Sequence, residues 1–140
     1  MDDVIISIHP RHASAILAKQ KKIELRRRVL RLNVGARLWI YATKPVGAII
    51  ATARVEKVVR GEPDVIWSVS AETSNLSRAE FDAYFFGASE AVAIFLTSVV
   101  SKKPIEMKRL RAMRPGFHPP QMAMRLTAGE VSFLNAANGA

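Results

Sequence analysis

Between Lys19 and Arg31 the chain reads KQKKIELRRRVLR: seven basic side chains, one acid (Glu24), and apolar residues returning at Ile23, Leu25, Val29 and Leu30. A disordered basic tail has no reason to set Ile23 and Leu25 two apart. Alternation of that period is the mark of a half-buried strand. We therefore read 23–28 as a strand that displays its charges on a folded surface. Period two places Lys22, Glu24, Arg26 and Arg28 on one face and turns Ile23 and Leu25 toward a core. Lys21 stands at the turn that enters the strand. A carboxylate flanked by lysine and arginine has its charged form favoured. Glu24 can then orient Arg26 or Lys21, or serve as a general base toward a substrate. The plain alternative is a solvated strand face whose ion pairs are worth little.

At 140 residues the chain is close to the ~100–200 of one domain, and 1–140 is expected to be a single domain. The formal net charge is +9 and the isoelectric point about 10.5. Such an excess favours phosphate-rich partners. Cysteine is absent, which removes disulfides, thiolate nucleophiles and thiolate-held zinc. No metal site is expected, since neither a His-Glu-x-x-His pair nor an Asp-rich calcium loop occurs. No cofactor is expected either. No apolar run approaches the ~20 residues that span a bilayer, and the Met1-Asp2-Asp3 start lacks the layout of a signal peptide. A cytoplasmic protein with no membrane partner is the expectation.

Along the chain, Val4 to Ile8 reads as a strand and 10–19 as a short helix, with Pro10 at its first turn and Ala13, Ile16 and Leu17 on one face. Strands follow at Arg37–Ala42 and Ala48–Val59, the latter rich in small residues and so tightly packed or strongly curved. Asp64–Ala71 reads as a helix. Ser77 and Glu80 form a capping box that starts a helix over 78–86, and Thr127 and Glu130 form another for the last helix. Ala91–Val100 is a strand. Pro104–Arg114 is a basic helix or turn, and 117–121 is an extended loop because proline disfavours helix in the residue before it. This order suits an α+β fold on a small, curved or closed sheet, with helices over the ends.

Further residues carry possible chemistry. Tyr41 and Phe117 are candidates to stack on bases, Tyr41 at a strand end and Phe117 beside the basic run 102–114. Aromatics next to a basic groove suit single-stranded nucleic acid. Phe117 is equally readable as a cap on the core, and for Tyr41 core is the commoner place for an aromatic in a strand. His9 and His118 are a candidate pair for general acid–base cleavage of RNA, with surface histidines as the simpler reading.

The segment from Ile6-Ser7-Ile8-His9-Pro10 to Lys21-Lys22-Ile23-Glu24-Leu25-Arg26 resembles the ASCH domain, a branch of the PUA-like superfamily. That family carries Gly-x-Lys-x-x-Glu-x-Arg after its first helix, and Lys21, Glu24 and Arg26 occupy those positions. The likeness continues through Ile40-Tyr41-Ala42-Thr43-Lys44-Pro45, Phe85-Phe86-Gly87, Ala91-Val92-Ala93-Ile94, Pro104-Ile105 and Phe117-His118-Pro119-Pro120-Gln121. It implies a small PUA-like β-barrel of mixed strands with helices covering its openings, and a cleft lined by the Lys-x-x-Glu-x-Arg strand. ASCH domains look like RNA-associated modules. One branch removes acyl groups from modified cytidine with a Lys, a Thr and a later Glu, and other members are ribonucleases. Here Lys19 replaces the motif glycine of the usual tight turn. His9 stands where relatives often have Lys, and Glu24 replaces the Thr of the deacylase branch.

Two functions follow as expectations. One is an RNA-binding module that takes single-stranded RNA or a nucleotide in a basic cleft. Lys21, Arg26, Arg28 and Lys44 would contact phosphate, Tyr41 or Phe117 would stack, and His118 would lie alongside. The other is a small metal-independent hydrolase, either a ribonuclease or an amidohydrolase on a modified nucleoside, with Lys21, Glu24 or His9 transferring protons.

Overall fold

The computed structural model describes residues 2–28 and 31–139; Val29 and Leu30 of the basic segment lie outside them. Among the described residues six strands form one sheet: β1 (Asp3–Ile8), β2 (Ile23–Arg26), β3 (Arg37–Ala42), β4 (Ala48–Gly61), β5 (Ala91–Glu106) and β6 (Ala123–Arg125). Their order is β2-β5-β4-β3-β1-β6. The β1–β3 pair is parallel and the other pairs are antiparallel. The long β4–β5 ladder shifts register three times. Such bulges raise the local twist and bend the strand, and the sheet curls into a barrel-like shape. The small residues of β4 serve that curl: Ala51 and Ala53 are buried on its inner side.

The strands are apolar on both faces because both faces are covered. Inside the curl, Val4, Ile6, Ile8, Leu38, Ile40, Val55, Val92, Ile94 and Leu96 pack together, with Ile16 from α1 (Pro10–Leu17) among them. On the outer face of β1, β3 and β4, Ile5, Trp39, Tyr41 and Ile49 meet Leu110 of α4 (Met107–Met113) and Leu134 of α5 (Ala128–Gly139). A third cluster joins Ile23, Leu25, Ala91 and Ala93 to Ile66 of α2 (Pro63–Ser70) and Phe81 of α3 (Arg78–Tyr84). Among the described residues no helix is long and apolar enough to cross a membrane.

Both capping boxes are present. Ser77 Oγ accepts from the Glu80 N–H and the Glu80 carboxylate accepts from the Ser77 N–H; Thr127 and Glu130 repeat the arrangement. The tight turn after α1 is kept even though lysine stands in the glycine position. Lys19 takes φ +64°, a left-handed conformation that is costly for a residue with a Cβ. β5 runs six residues past the expected strand, to Glu106. The short β6 was unforeseen: three residues are too few to show a period.

Candidate functional site

The site is built on the free edge of the sheet. Ladder pairing sets Glu24 opposite Ile94 and Arg26 opposite Val92, so both polar side chains share the inner face with those core residues. Ile23 and Leu25 face the outer cluster. Before the strand, Lys21 and Lys22 are fixed by main-chain bonds from the Lys21 N–H to the Ala15 carbonyl (3.1 Å) and from the Lys22 N–H to the Thr73 carbonyl (2.7 Å). These bonds turn Lys21 inward, where only 2% of it is exposed, and leave Lys22 exposed.

Lys21 Nζ donates to the Ser74 carbonyl at 2.6 Å and lies 3.9 Å from Glu24 Oε1. Burial pushes the Lys21 ammonium below its ordinary range, and the Glu24 charge opposes that shift. Glu24 Oε2 accepts from Arg26 Nη2 at 2.8 Å. The same Nη2 lies 2.6 Å from the Ser7 carbonyl oxygen. Arg26 Nε is buried and has no hydrogen-bond partner among the described residues.

A hollow of about 170 Å³ opens on this chain of charges, walled by Arg11 and His12 of α1, Lys21, Glu24, Leu76, and Glu80 and Tyr84 of α3. Arg11 is ion-paired to Glu80 and so bridges α1 to α3. Its hydrogen bond, with help from the Ser77 N–H, holds the Glu80 carboxyl at about 2. His12 Nδ1 is buried without a hydrogen-bond partner among the described residues. Burial first, and the Lys21 charge second, push the His12 imidazole below the usual histidine range, so its neutral form is favoured. A second hollow of about 260 Å³ adjoins the first through Tyr84, and its other walls are Arg26, Arg27, Arg28, Gln121 and Met122. On another side of Lys21 lies a larger hollow of about 380 Å³, with Lys19, Lys22 and Thr73 at polar positions over Ile16 and Phe95. Among the described residues no group of three or more His, Asp and Glu side chains is placed to hold a metal ion. Chemically, the first hollow offers a neutral imidazole, a buried ammonium and a carboxylate for proton transfer. The second offers guanidinium groups for an anion.

The fold thus brings Lys21, Glu24 and Arg26 together and sets Arg28 in the adjoining hollow. It does not bring the other candidates there. Tyr41 is 1% and Phe117 2% exposed, both in the core beneath α4 and α5. Neither ring can stack on a base without opening that core, so the stacking role expected of them is withdrawn. His9 is the exposed cap of α1, its Nδ1 accepting from the Arg11 N–H at 3.2 Å. The ring beside it is that of His12, 6.2 Å away between centroids, and not that of His118. His118 is exposed, with Nδ1 3.0 Å from the Gly116 carbonyl oxygen. The proposed His9–His118 pair therefore has no contact among the described residues. Lys44 is exposed in the turn between β3 and β4 and walls neither hollow. Sequence reasoning passed over His12, Arg11, Glu80 and Tyr84. For His12 a signal existed: it lies four residues before Ile16, on the same side of a helix. Glu80 looked fully explained by its cap.

Comparison with known proteins follows from this geometry. No family model matches the sequence. The chain is 36% identical over 132 residues to a Zymomonas mobilis protein named ASCH domain-containing ribonuclease, covering 94% of this chain and 89% of that protein. The crystal structure of ASCH from Zymomonas mobilis superposes with a TM-score of 0.92 at 34% identity, over 96% of this chain and 94% of that one. A mutant of the same protein superposes at 0.93 and 33% identity, over 97% and 98%. A Pseudomonas putida structure, 14% identical, matches in fold alone with a TM-score of 0.60 over 97% of this chain and 99% of that one.

Proposed function

The chain belongs to the ASCH domain family, and from that premise and the form of its cleft we propose that it binds single-stranded RNA along the second strand. One observation carries this reading. The buried Lys21–Glu24–Arg26 chain opens directly onto a rim of Arg26, Arg27 and Arg28, next to a hollow of about 170 Å³. Guanidinium groups suit phosphate oxygens, and sequence-specific RNA recognition favours unpaired, splayed bases. The Zymomonas relative is named a ribonuclease, and that name supports RNA as the ligand class here.

A second reading, cleavage of the bound RNA, is favoured by His12, Lys21 and Glu24 walling one hollow. In that reaction the 2′-hydroxyl attacks the adjacent phosphorus and loses its proton to Glu24 or neutral His12. The P–O5′ bond breaks, the leaving oxygen takes a proton from the Lys21 ammonium, and a 2′,3′-cyclic phosphate forms. The amidohydrolase alternative is weaker, because Glu24 stands where the deacylase branch has its threonine.

The test is incubation of labelled single-stranded RNA, duplex RNA and single-stranded DNA with the protein, with added divalent cation and with chelator. Binding is followed by anisotropy and cleavage by gel. With three to five phosphates engaged, the log–log salt slope should be about −2 to −3.5 for single-stranded RNA. A flat salt response, or equal affinity for duplex, contradicts the binding reading. Intact RNA under every condition contradicts the cleavage reading alone.

A further inference from the structure

With Tyr41 and Phe117 committed to the core, the cleft needs another surface for a base. We propose that Tyr84 is that surface: a stacking platform set between the two hollows, so that an RNA strand crosses it with a nucleotide on either side. The inference rests on the RNA-binding reading and adds the ligand's minimum length and the residue that reads its bases.

Four observations support it. Tyr84 walls both hollows, the one holding Lys21, Glu24 and His12 and the one holding Arg26, Arg27 and Arg28. Its side is open, with 41% of the residue exposed, whereas Phe81 and Phe85 of the same turn are buried. The ring is nonetheless held: it meets Phe85 edge-on, 4.8 Å between centroids at 78°. Finally, Arg27 Nη1 donates to the Tyr84 carbonyl at 3.1 Å, so the platform and the basic bend are tied together. A rigid, half-exposed aromatic beside guanidinium groups is what sequence-tolerant base stacking uses. Burial also raises the Tyr84 phenol above its ordinary range, which keeps the ring neutral beside phosphate.

The ligand is then an oligonucleotide of at least two residues, not a free nucleoside. A base on Tyr84 places the phosphate on one side among Arg26–Arg28 and the neighbouring nucleotide over Lys21 and Glu24. The probe is a short single-stranded RNA with 2-aminopurine at one position, whose fluorescence falls on stacking. The wild type should quench it. Tyr84→Leu should abolish the quenching and weaken binding about tenfold with an unchanged melting temperature, and Tyr84→Phe should restore both. In competition, a dinucleotide should displace the probe and a mononucleotide should need at least tenfold more. If the wild type binds RNA but Tyr84→Leu quenches and binds equally well, the platform is wrong and the RNA reading stands. Equal competition by mononucleotide removes the bridging. If the wild type binds no RNA, both readings fall.

Discussion

Arg26 reaches across the seam of the curled sheet to Ser7. One guanidinium nitrogen, Nη2, lies 2.6 Å from the Ser7 carbonyl oxygen and 2.8 Å from Glu24. The reason is visible in the topology. β2 is one edge of the sheet and β6 the other, and β6 pairs with β1 only from Val4 to Ile6. Just past that point the Ser7 N–H donates to the Met122 carbonyl (3.3 Å) and the Ser7 hydroxyl to the Pro120 carbonyl (2.6 Å), while a side chain from the opposite edge takes the Ser7 carbonyl. Arg26 is thus a structural tie first, and Arg28, exposed in the bend, makes no ion pair among the described residues.

The two arginines should therefore separate. Arg26→Ala leaves Glu24 with a missing partner and should cost roughly 3 kcal/mol of stability, in the manner of a broken buried pair. Arg28→Ala should leave urea unfolding unchanged while lowering the magnitude of the RNA salt slope by about 0.7, one phosphate's share. Equal stability losses in the two variants would contradict this division.

His12 gives the fold a pH dependence. Its folded-state pKa lies below 6.5, so the unfolded chain binds the extra proton first as pH falls. Stability is then full above about 6.5 and declines as pH drops toward the folded pKa. Melting temperatures from pH 7.5 to 5 should fall for the wild type and fall less for His12→Gln. Parallel curves would show that His12 is not the group responsible.

Phe117 tests the assignment of aromatics to the core. Phe117→Ala should cost about 3–5 kcal/mol through loss of packing. Phe117→Leu should fold and bind RNA within twofold of the wild type. A specific loss of RNA affinity in the folded Leu variant would return Phe117 to the binding surface.

Lys19 tests the turn. Its φ of +64° is a conformation glycine adopts freely. Lys19→Gly should stabilise the protein by about 0.5–1 kcal/mol, read from denaturant midpoints, despite loss of the exposed Nζ bond to the Val99 carbonyl. Destabilisation would mean that this bond outweighs the backbone strain.

These residues show what a sequence can carry. The Ile23–Arg26 strand was legible because its two faces meet different surroundings, and alternation records that directly. The capping boxes were legible because a cap is a local bond. Tyr41 was kept among the stacking candidates for a physical reason. β3 is buried on both faces, and an aromatic opposite the inner core looks free until α4 and α5, from much later in the chain, are laid over it. The helical period shows which way His12 faces, but Tyr84 and the hollow it shares with His12 exist only when α1, β2 and α3 come together, a coincidence that no local period encodes. The β1–β6 pairing was equally hidden, because a strand of three residues leaves no pattern.

The location of bound RNA is the most direct measurement. Single-stranded RNA carrying 4-thiouridine can be photocrosslinked to the protein and the attachment sites mapped by mass spectrometry. Crosslinks should fall on Tyr84, Gln121–Met122 and the Arg26–Arg28 bend. Crosslinks confined instead to the other basic surface, around Lys108 and Arg109 of α4, would contradict the assignment of this cleft.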